Sequence, residues 1–181
     1  MHSPPATIAR PLTLDELVRR ARTGDAVGVG GLYDRYAAAL FRTAFRLSGS
    51  KADAEDVVHD LFVGLPEALT RYEERGSLVA WLTRITVRLA LMRARSDRRR
   101  RSVPIVEALE VTAAGRTDAG VELAELQRAL LDLPLSLRTV FTLRQVEGYS
   151  HEEIGALLGI SAGASRVRLT RALGILRRSL R

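Results

Sequence analysis

Arginine supplies nearly all the positive charge of this chain: of 28 Lys and Arg residues only Lys51 is lysine, and the formal net charge is +7. A guanidinium stays protonated at any physiological pH, and its planar fork matches a phosphate or the edge of a guanine. That chemistry grips polyanions rather than moving protons. The arginines gather in two places. Arg166, Arg168, Arg171, Arg177 and Arg178 lie in a final stretch with no carboxylate after Glu153. Eight more, from Arg84 to Arg101, are opposed only by Asp97. Clusters of this kind are the electrostatic footprint of a nucleic-acid partner, or of an anionic membrane surface.

A third group suggests different chemistry. Asp56, His59 and Asp60 share a helix face at i, i+3, i+4, a geometry a metal could use, and the His59–Asp60 pair resembles the metal phosphohydrolases. Such a site needs further ligands from other helices. His2 and His151 are the only other histidines, and the absence of cysteine removes thiolate zinc sites, disulfides and Cys nucleophiles. No metal and no cofactor is expected.

These side chains need helices to present them. Ser150 followed by Glu153 is a capping-box pair, so a helix starts near His151. Ile154, Leu157 and Leu158 follow the helical period, Gly159 supplies a positive φ for a turn, and Ser161 can cap the next helix. In that second helix Leu169, Ala172, Leu173, Leu176 and Leu180 form one stripe. Arg171, Arg178 and Val167 lie opposite it, flanked by Arg168 on one side and by Thr170 and Arg177 on the other. A capped helix, a glycine turn and a helix with a wholly basic far side form a helix-turn-helix suited to the major groove. A solvated arginine face on a core helix is the plainer alternative.

The rest of the chain reads as all-α. Residues 1–12 hold three prolines and no apolar period, which predicts a loose arm. Thr13 with Glu16 announces a helix that Gly24 ends, and a core helix follows over 27–47, with Leu32, Tyr33, Tyr36, Leu40, Phe41, Ala44 and Phe45 on its apolar positions. The next helix, over 51–69, is two-faced. Val57, Val58, Leu61, Leu65 and Leu69 gather on one side and Asp56, His59, Asp60, Val63 and Glu67 on the other, with a kink expected at Pro66. Its acidic face serves either as a dock for a basic partner or as a solvated surface. After a polar loop at 72–77, Ser77 should cap a helix running to about residue 96. There Leu78, Trp81, Leu82, Ile85, Leu89 and Met92 form the buried stripe, flanked by Arg84, Arg88 and Arg95. Trp81 reads as core before it reads as a stacking platform. The pattern decays over 102–120, which predicts a tether between two helical units. Beyond it one helix stops at Pro134 and another starts at Ser136 and runs to Gly148. No apolar run is long enough to span a membrane and the first residues lack a signal-peptide core, so no membrane insertion is expected.

In this order the parts resemble the extracytoplasmic-function sigma factors, the two-domain promoter-recognition subunits of bacterial RNA polymerase. The carrying stretches are Leu32-Tyr33-Asp34-Arg35-Tyr36, the run from Asp53 to Phe62, Ala80-Trp81-Leu82-Thr83-Arg84-Ile85, and Gly148 to Gly155 with Arg168-Leu169-Thr170-Arg171-Ala172. The resemblance implies a flexible arm over 1–12, a sigma region 2-like domain over 13–97, a linker over 98–120 and a region 4-like helix-turn-helix domain over 121–181. It also implies a location in the bacterial cytoplasm and no catalytic residues. Asp53, Glu55, Asp56, His59, Asp60 and Val63 would meet the beta-prime coiled coil of core RNA polymerase, with the beta flap as a second contact. Tyr72, Arg75, Ser77, Trp81, Arg84, Arg88 and Arg95 would melt and capture the minus-ten element, one flipped base sitting in the 72–77 loop. Ser161, Arg166, Val167, Arg168, Thr170, Arg171 and Arg178 would read the minus-35 duplex, and the linker would thread near the polymerase active site. An anti-sigma factor is a further partner of this class.

Three positions depart from the family pattern. Arg88 stands where Asn is usual, Gly163-Ala164-Ser165 replaces Gly-Thr-Val, and Gly155 replaces a frequent Ala. A DNA-binding regulator that works without polymerase, a sigma-like interaction module and a metal phosphohydrolase are the competing readings.

Overall fold

The computed structural model describes residues 12–73, 77–100 and 118–180, apart from the side chains of 95–100 and 118–124. The expected arm over 1–11 lies outside the described residues. Thr13 and Glu16 form the capping box that opens α1 (Leu14–Arg22), and Gly24 adopts φ +77° just past its end. Asp25 then caps α2 (Ala26–Ser48) by accepting from the Val27 N–H at 2.8 Å. That bond, rather than the Arg20 ion pair also present, is the main reason the Asp25 carboxyl is held below its ordinary pKa. Gly28 lets the two helices cross closely: a Cβ there would run into the α1 backbone at Ala21.

Gly49, at φ +76°, ends α2, and Ser50 caps α3 (Lys51–Thr70) through the Asp53 N–H. The helix continues through Pro66 without a break. Leu32, Leu40, Val58, Leu61, Leu65 and Leu69 close a core with Leu17 and Val18 of α1 and with Leu78 and Leu82 of α4 (Leu78–Arg100). Burying a side chain of this size is worth about 2 kcal/mol, and this shared core is what packs α1 to α4 against one another.

Several expectations need correction here. Tyr33 is 48% exposed rather than core, resting its ring edge on Phe62 with centroids 4.9 Å apart. Met92 is 64% exposed, although its spacing placed it on the buried stripe. Instead α4 has a second buried face of Thr86, Val87 and Ala90. The helix also runs to Arg100 rather than stopping near residue 96.

Next, α5 (Asp118–Asp132) begins within the expected tether, of which 101–117 lies outside the described residues. Pro134, not Ser136, occupies the cap position of α6 (Leu135–Phe141), and no side chain caps that helix. Its continuation is a π-turn over Thr142–Val146 rather than further α-helix, closing at Gly148 with φ +76°. The chain finishes in α7 (His151–Leu158) and α8 (Ala162–Ser179). Ala172 and Leu176 pack on Ala129, Leu130 and Leu133, whereas Leu180, expected in the stripe, is 45% exposed past the helix end.

The two helical units are docked. Ala44, Leu47, Val57, Val87 and Ala90 from α2, α3 and α4 share one apolar cluster with Leu131, Val140, Leu143 and Ile154 from the C-terminal helices. Arg138 of α6 is 7% exposed and donates from Nη1 to the Leu131 carbonyl at 2.8 Å and from Nη2 to the carbonyls of Leu47 and Ser48 at 3.3 Å each. Both sets of carbonyls are free helix C-terminal acceptors, the negative end of a helix dipole, which explains how a cation sits there without a carboxylate. Thr43 adds a hydroxyl bond to Glu147 at 2.7 Å.

Candidate nucleic-acid interface

The helix pair at the end of the chain is built as its sequence implies. Ser150 Oγ accepts from the Glu153 N–H at 3.1 Å while the Glu153 carboxylate takes the Ser150 N–H at 2.8 Å. Those bonds hold the Glu153 carboxyl below its ordinary pKa. Gly159 sits at φ +69°, a backbone that costs glycine nothing, and Ser161 Oγ caps α8 through the Ala164 N–H at 3.0 Å. The turn is tight enough that a Cβ on Gly155 would lie 2.7 Å from the Ile160 carbonyl oxygen. The glycine therefore permits a close α7–α8 approach.

On α8 the outward face carries Arg166, Val167, Thr170, Arg171 and Arg178, all exposed, with Ser161 exposed at the cap and Arg168 half-buried. Val167 is 51% exposed and Ser165 fully buried, where Ser165 Oγ lies 2.9 Å from His151 Nδ1. Arg166 is not free: it pairs with Glu152 of α7 at 2.9 Å. Thr170 returns its hydroxyl to the Arg166 carbonyl at 3.1 Å. The face can offer fork hydrogen bonds, phosphate contacts and one apolar contact of thymine-methyl size.

The second basic surface lies on α4. Arg84 and Arg88 are exposed on one flank, and Trp81 is half-buried with its ring centroid 4.8 Å from that of Tyr72. Arg22 of α1 positions Tyr72 by bonding the Leu69 carbonyl at 3.1 Å and the Tyr72 carbonyl at 3.3 Å. Ser77 is exposed, and its carbonyl accepts from the Trp81 N–H at 3.2 Å to start the helix. Arg75 and the Arg95 side chain lie outside the described residues. Tyr149 of the C-terminal unit comes close enough to Arg84 and Arg88 to feel their charge, although burial dominates and raises its phenol pKa.

Across α3, Glu55, Asp56, His59, Asp60 and Val63 are exposed and Asp53 half-buried. Val63, at 67%, is an apolar spot inside this acidic face. Asp56 and Asp60 do not close on His59. Arg93 of α4 takes both, at 2.5 and 2.6 Å, while Lys51 lies 3.8 Å from Glu55. Among the described residues no group of three His, Asp or Glu is arranged to hold a metal ion. The partners of Arg22, Arg93 and Arg138 are not legible in the sequence. Each looks like any other surface arginine until the helix it meets is placed beside it.

No described helix is long and apolar enough to cross a membrane. Residues 32–100 match the family described as Sigma-70 region 2, and residues 123–176 that described as Sigma-70, region 4. The chain is 31% identical to the ECF RNA polymerase sigma factor BldN of Streptomyces coelicolor, over 99% of this chain and 70% of that one. It is 34% identical to the ECF RNA polymerase sigma factor SigE of Mycolicibacterium smegmatis over 82% of its length, and spans 61% of that longer relative. Among solved structures, RpoE of Bartonella quintana bound to the anti-sigma factor NepR superposes with a TM-score of 0.62 at 27% identity, covering 82% of this chain and 93% of that one. CnrH bound to the cytosolic domain of CnrY superposes with a TM-score of 0.56 at 29% identity, covering 91% and 94%.

Proposed function

Because this chain belongs to the extracytoplasmic-function sigma factors of the sigma-70 family, we propose that it binds core RNA polymerase and directs it to promoters whose minus-ten element it melts and whose minus-35 element it reads. What carries the reading is the exposed run Arg166, Val167, Thr170 and Arg171 on α8, presented by a capped helix and a glycine turn. Residues 13–97 take the polymerase and the minus-ten strand, 98–120 link, and 121–181 take the minus-35 duplex.

On the first unit the work divides by charge. Asp56, Asp60 and Val63 offer an acidic face with an apolar centre to the beta-prime coiled coil. The Arg84 and Arg88 flank beside the Tyr72–Trp81 pair holds the opened strand. Extruding a base costs a few kcal/mol, which stacking on an aromatic ring at about 1–3 kcal/mol and backbone arginines offset. Bond making remains with the polymerase, and the protein works in the cytoplasm. The solved relatives are each bound to a partner, NepR or CnrY. An anti-sigma factor of that class is accordingly a proposed regulator here.

The test is direct. Purified protein mixed with core RNA polymerase should elute as one complex and start transcripts at defined promoters. A chain that bound duplex DNA but left the polymerase untouched would instead be a stand-alone regulator.

A further inference from the structure

The acidic face of α3 is held from outside its own helix. Asp56 and Asp60 stand one turn apart, where two like charges repel. Arg93 of α4 reaches across to both. Its Nη2 donates to Asp56 Oδ2 at 2.5 Å and its Nη1 to Asp60 Oδ2 at 2.6 Å, one arm of the guanidinium on each carboxylate. The partners lie 37 and 33 residues away in sequence, so the fork arrives only because α4 packs against α3.

This arrangement differs from an ordinary surface pair. Lys51 and Glu55, on the same α3, stand 3.8 Å apart with both side chains exposed, and a pair of that kind adds little because two mobile chains are ordered for a screened attraction. Arg93 is half-buried, and its planar fork is ordered by two acceptors at once. It differs also from its neighbours on α4. Arg84 and Arg88 are exposed and form no ion pair among the described residues, which leaves their forks for a polyanion, whereas the Arg93 fork is already used.

The clamp leaves the carboxylates usable. Asp56 and Asp60 are exposed, and neither carboxylate makes a further hydrogen bond among the described residues. An ionised carboxylate can accept about four hydrogen bonds, so the Oδ1 atom of each stays open to a donor arriving from solvent. Unheld, an exposed side chain exchanges rotamers on the picosecond to nanosecond scale, and a partner must order both aspartates as it binds, at a cost in affinity. Held by Arg93, the pair is ordered beforehand. Arg93 also offsets part of their negative charge, which weakens long-range attraction. The two effects act on different rates, charge on association and fixed geometry on dissociation.

We propose that Arg93 is a positioning residue for polymerase docking, its fork fixing Asp56 and Asp60 so that their outer oxygens accept from a basic surface on core RNA polymerase. The proposal rests on the sigma-factor reading and adds to it a residue on α4, outside the acidic helix.

Arg93→Lys separates fork from charge, because an ammonium keeps the charge but has no planar fork to span two carboxylates. Core polymerase should release this variant faster, raising Kd on the order of fivefold, while the association rate stays near that of the wild type. In an Asp56→Asn and Asp60→Asn background the same substitution should change nothing, since Arg93 acts only through those carboxylates. Circular dichroism and thermal unfolding should match the wild type. The clamp itself is read without polymerase by NMR of the free protein, where the Arg93 guanidinium protons should resolve from the averaged signals of exposed arginines and merge with them when both aspartates are Asn. Averaged Arg93 signals in the wild type, an unchanged Kd in Arg93→Lys, a loss that persists in the Asn background, or a loss of helicity that makes Arg93 a purely structural residue would each overturn the proposal. A resolved clamp in a chain that core polymerase ignores would instead remove the sigma-factor reading, on which the docking role rests, whereas a bound polymerase indifferent to Arg93→Lys would remove the proposal alone.

Discussion

His151 Nδ1 lies 2.9 Å from Ser165 Oγ, so the first residue of α7 is tied to a hydroxyl fully buried beneath α8. Two helices that must present one face to DNA are thereby locked in angle as well as in packing. Ser165→Ala should cost about 1 kcal/mol in urea unfolding, the usual worth of one hydrogen bond. Ser165→Val places a larger side chain in a filled site and should cost about 1–3 kcal/mol. Unchanged midpoints in both would show that the bond contributes nothing.

Gly155→Ala tests the closeness of the same pair. The alanine would gain about 1 kcal/mol of helix propensity. Its methyl would press on the Ile160 carbonyl at 2.7 Å, and backbone does not step aside easily. The clash should win, lowering the stability of the C-terminal unit and weakening minus-35 binding with it, as read by thermal unfolding and a duplex titration.

The capping box makes stability depend on acid. The Glu153 carboxyl is held below its ordinary pKa by its bonds to Ser150, so its contribution is present above that ordinary value. It is lost as pH falls through the lower folded value, because protonation ends the bond that folding supplied. Urea unfolding between pH 6 and about 3 should therefore show a slope in the wild type that Glu153→Gln reduces. Equal slopes in the two proteins would contradict the capping role.

Asp56→Asn with Asp60→Asn removes the charge from α3 at constant size. It should weaken binding to core polymerase by tenfold or more, about 1.4 kcal/mol, and leave duplex binding unchanged. Arg93 loses both partners, so far-UV circular dichroism must accompany the binding measurement. A parallel loss of both functions would indicate unfolding rather than a docking face.

On α8, Arg171→Ala should lower affinity for every duplex and shrink the salt slope by about one if Arg171 holds a phosphate. Val167→Ala should leave the salt slope alone and relax preference at one thymine-containing step, read by binding selection. A Val167→Ala preference identical to the wild type would exclude the methyl contact.

Helix boundaries were largely legible in the sequence. Thr13 with Glu16 and Ser150 with Glu153 write their capping boxes into four consecutive residues, and Gly24, Gly49, Gly148 and Gly159 all take the positive φ that a helix exit requires. The outward face of α8 was legible for the same reason, since its period and charge are local. Met92 and Leu180 misled because periodicity carries on where packing stops. Each keeps the spacing of a core residue, yet Met92 is exposed within α4 and Leu180 is exposed past the end of α8. Ser136 looks like a helix start, yet Pro134, two residues earlier, occupies the cap position.

Local spacing and charge thus determined that this is an all-α chain with a basic helix-turn-helix and an acidic face. Tertiary structure alone decided that its two units are docked. The bonds that join them, Arg138 to Leu47 and Thr43 to Glu147, span 91 and 104 residues. Val87 and Ala90 show as a seam only when α4 is laid against α2 and α6. No period of 3.6 residues records such a pairing, because it is chosen by the summed burial of surfaces distant in sequence.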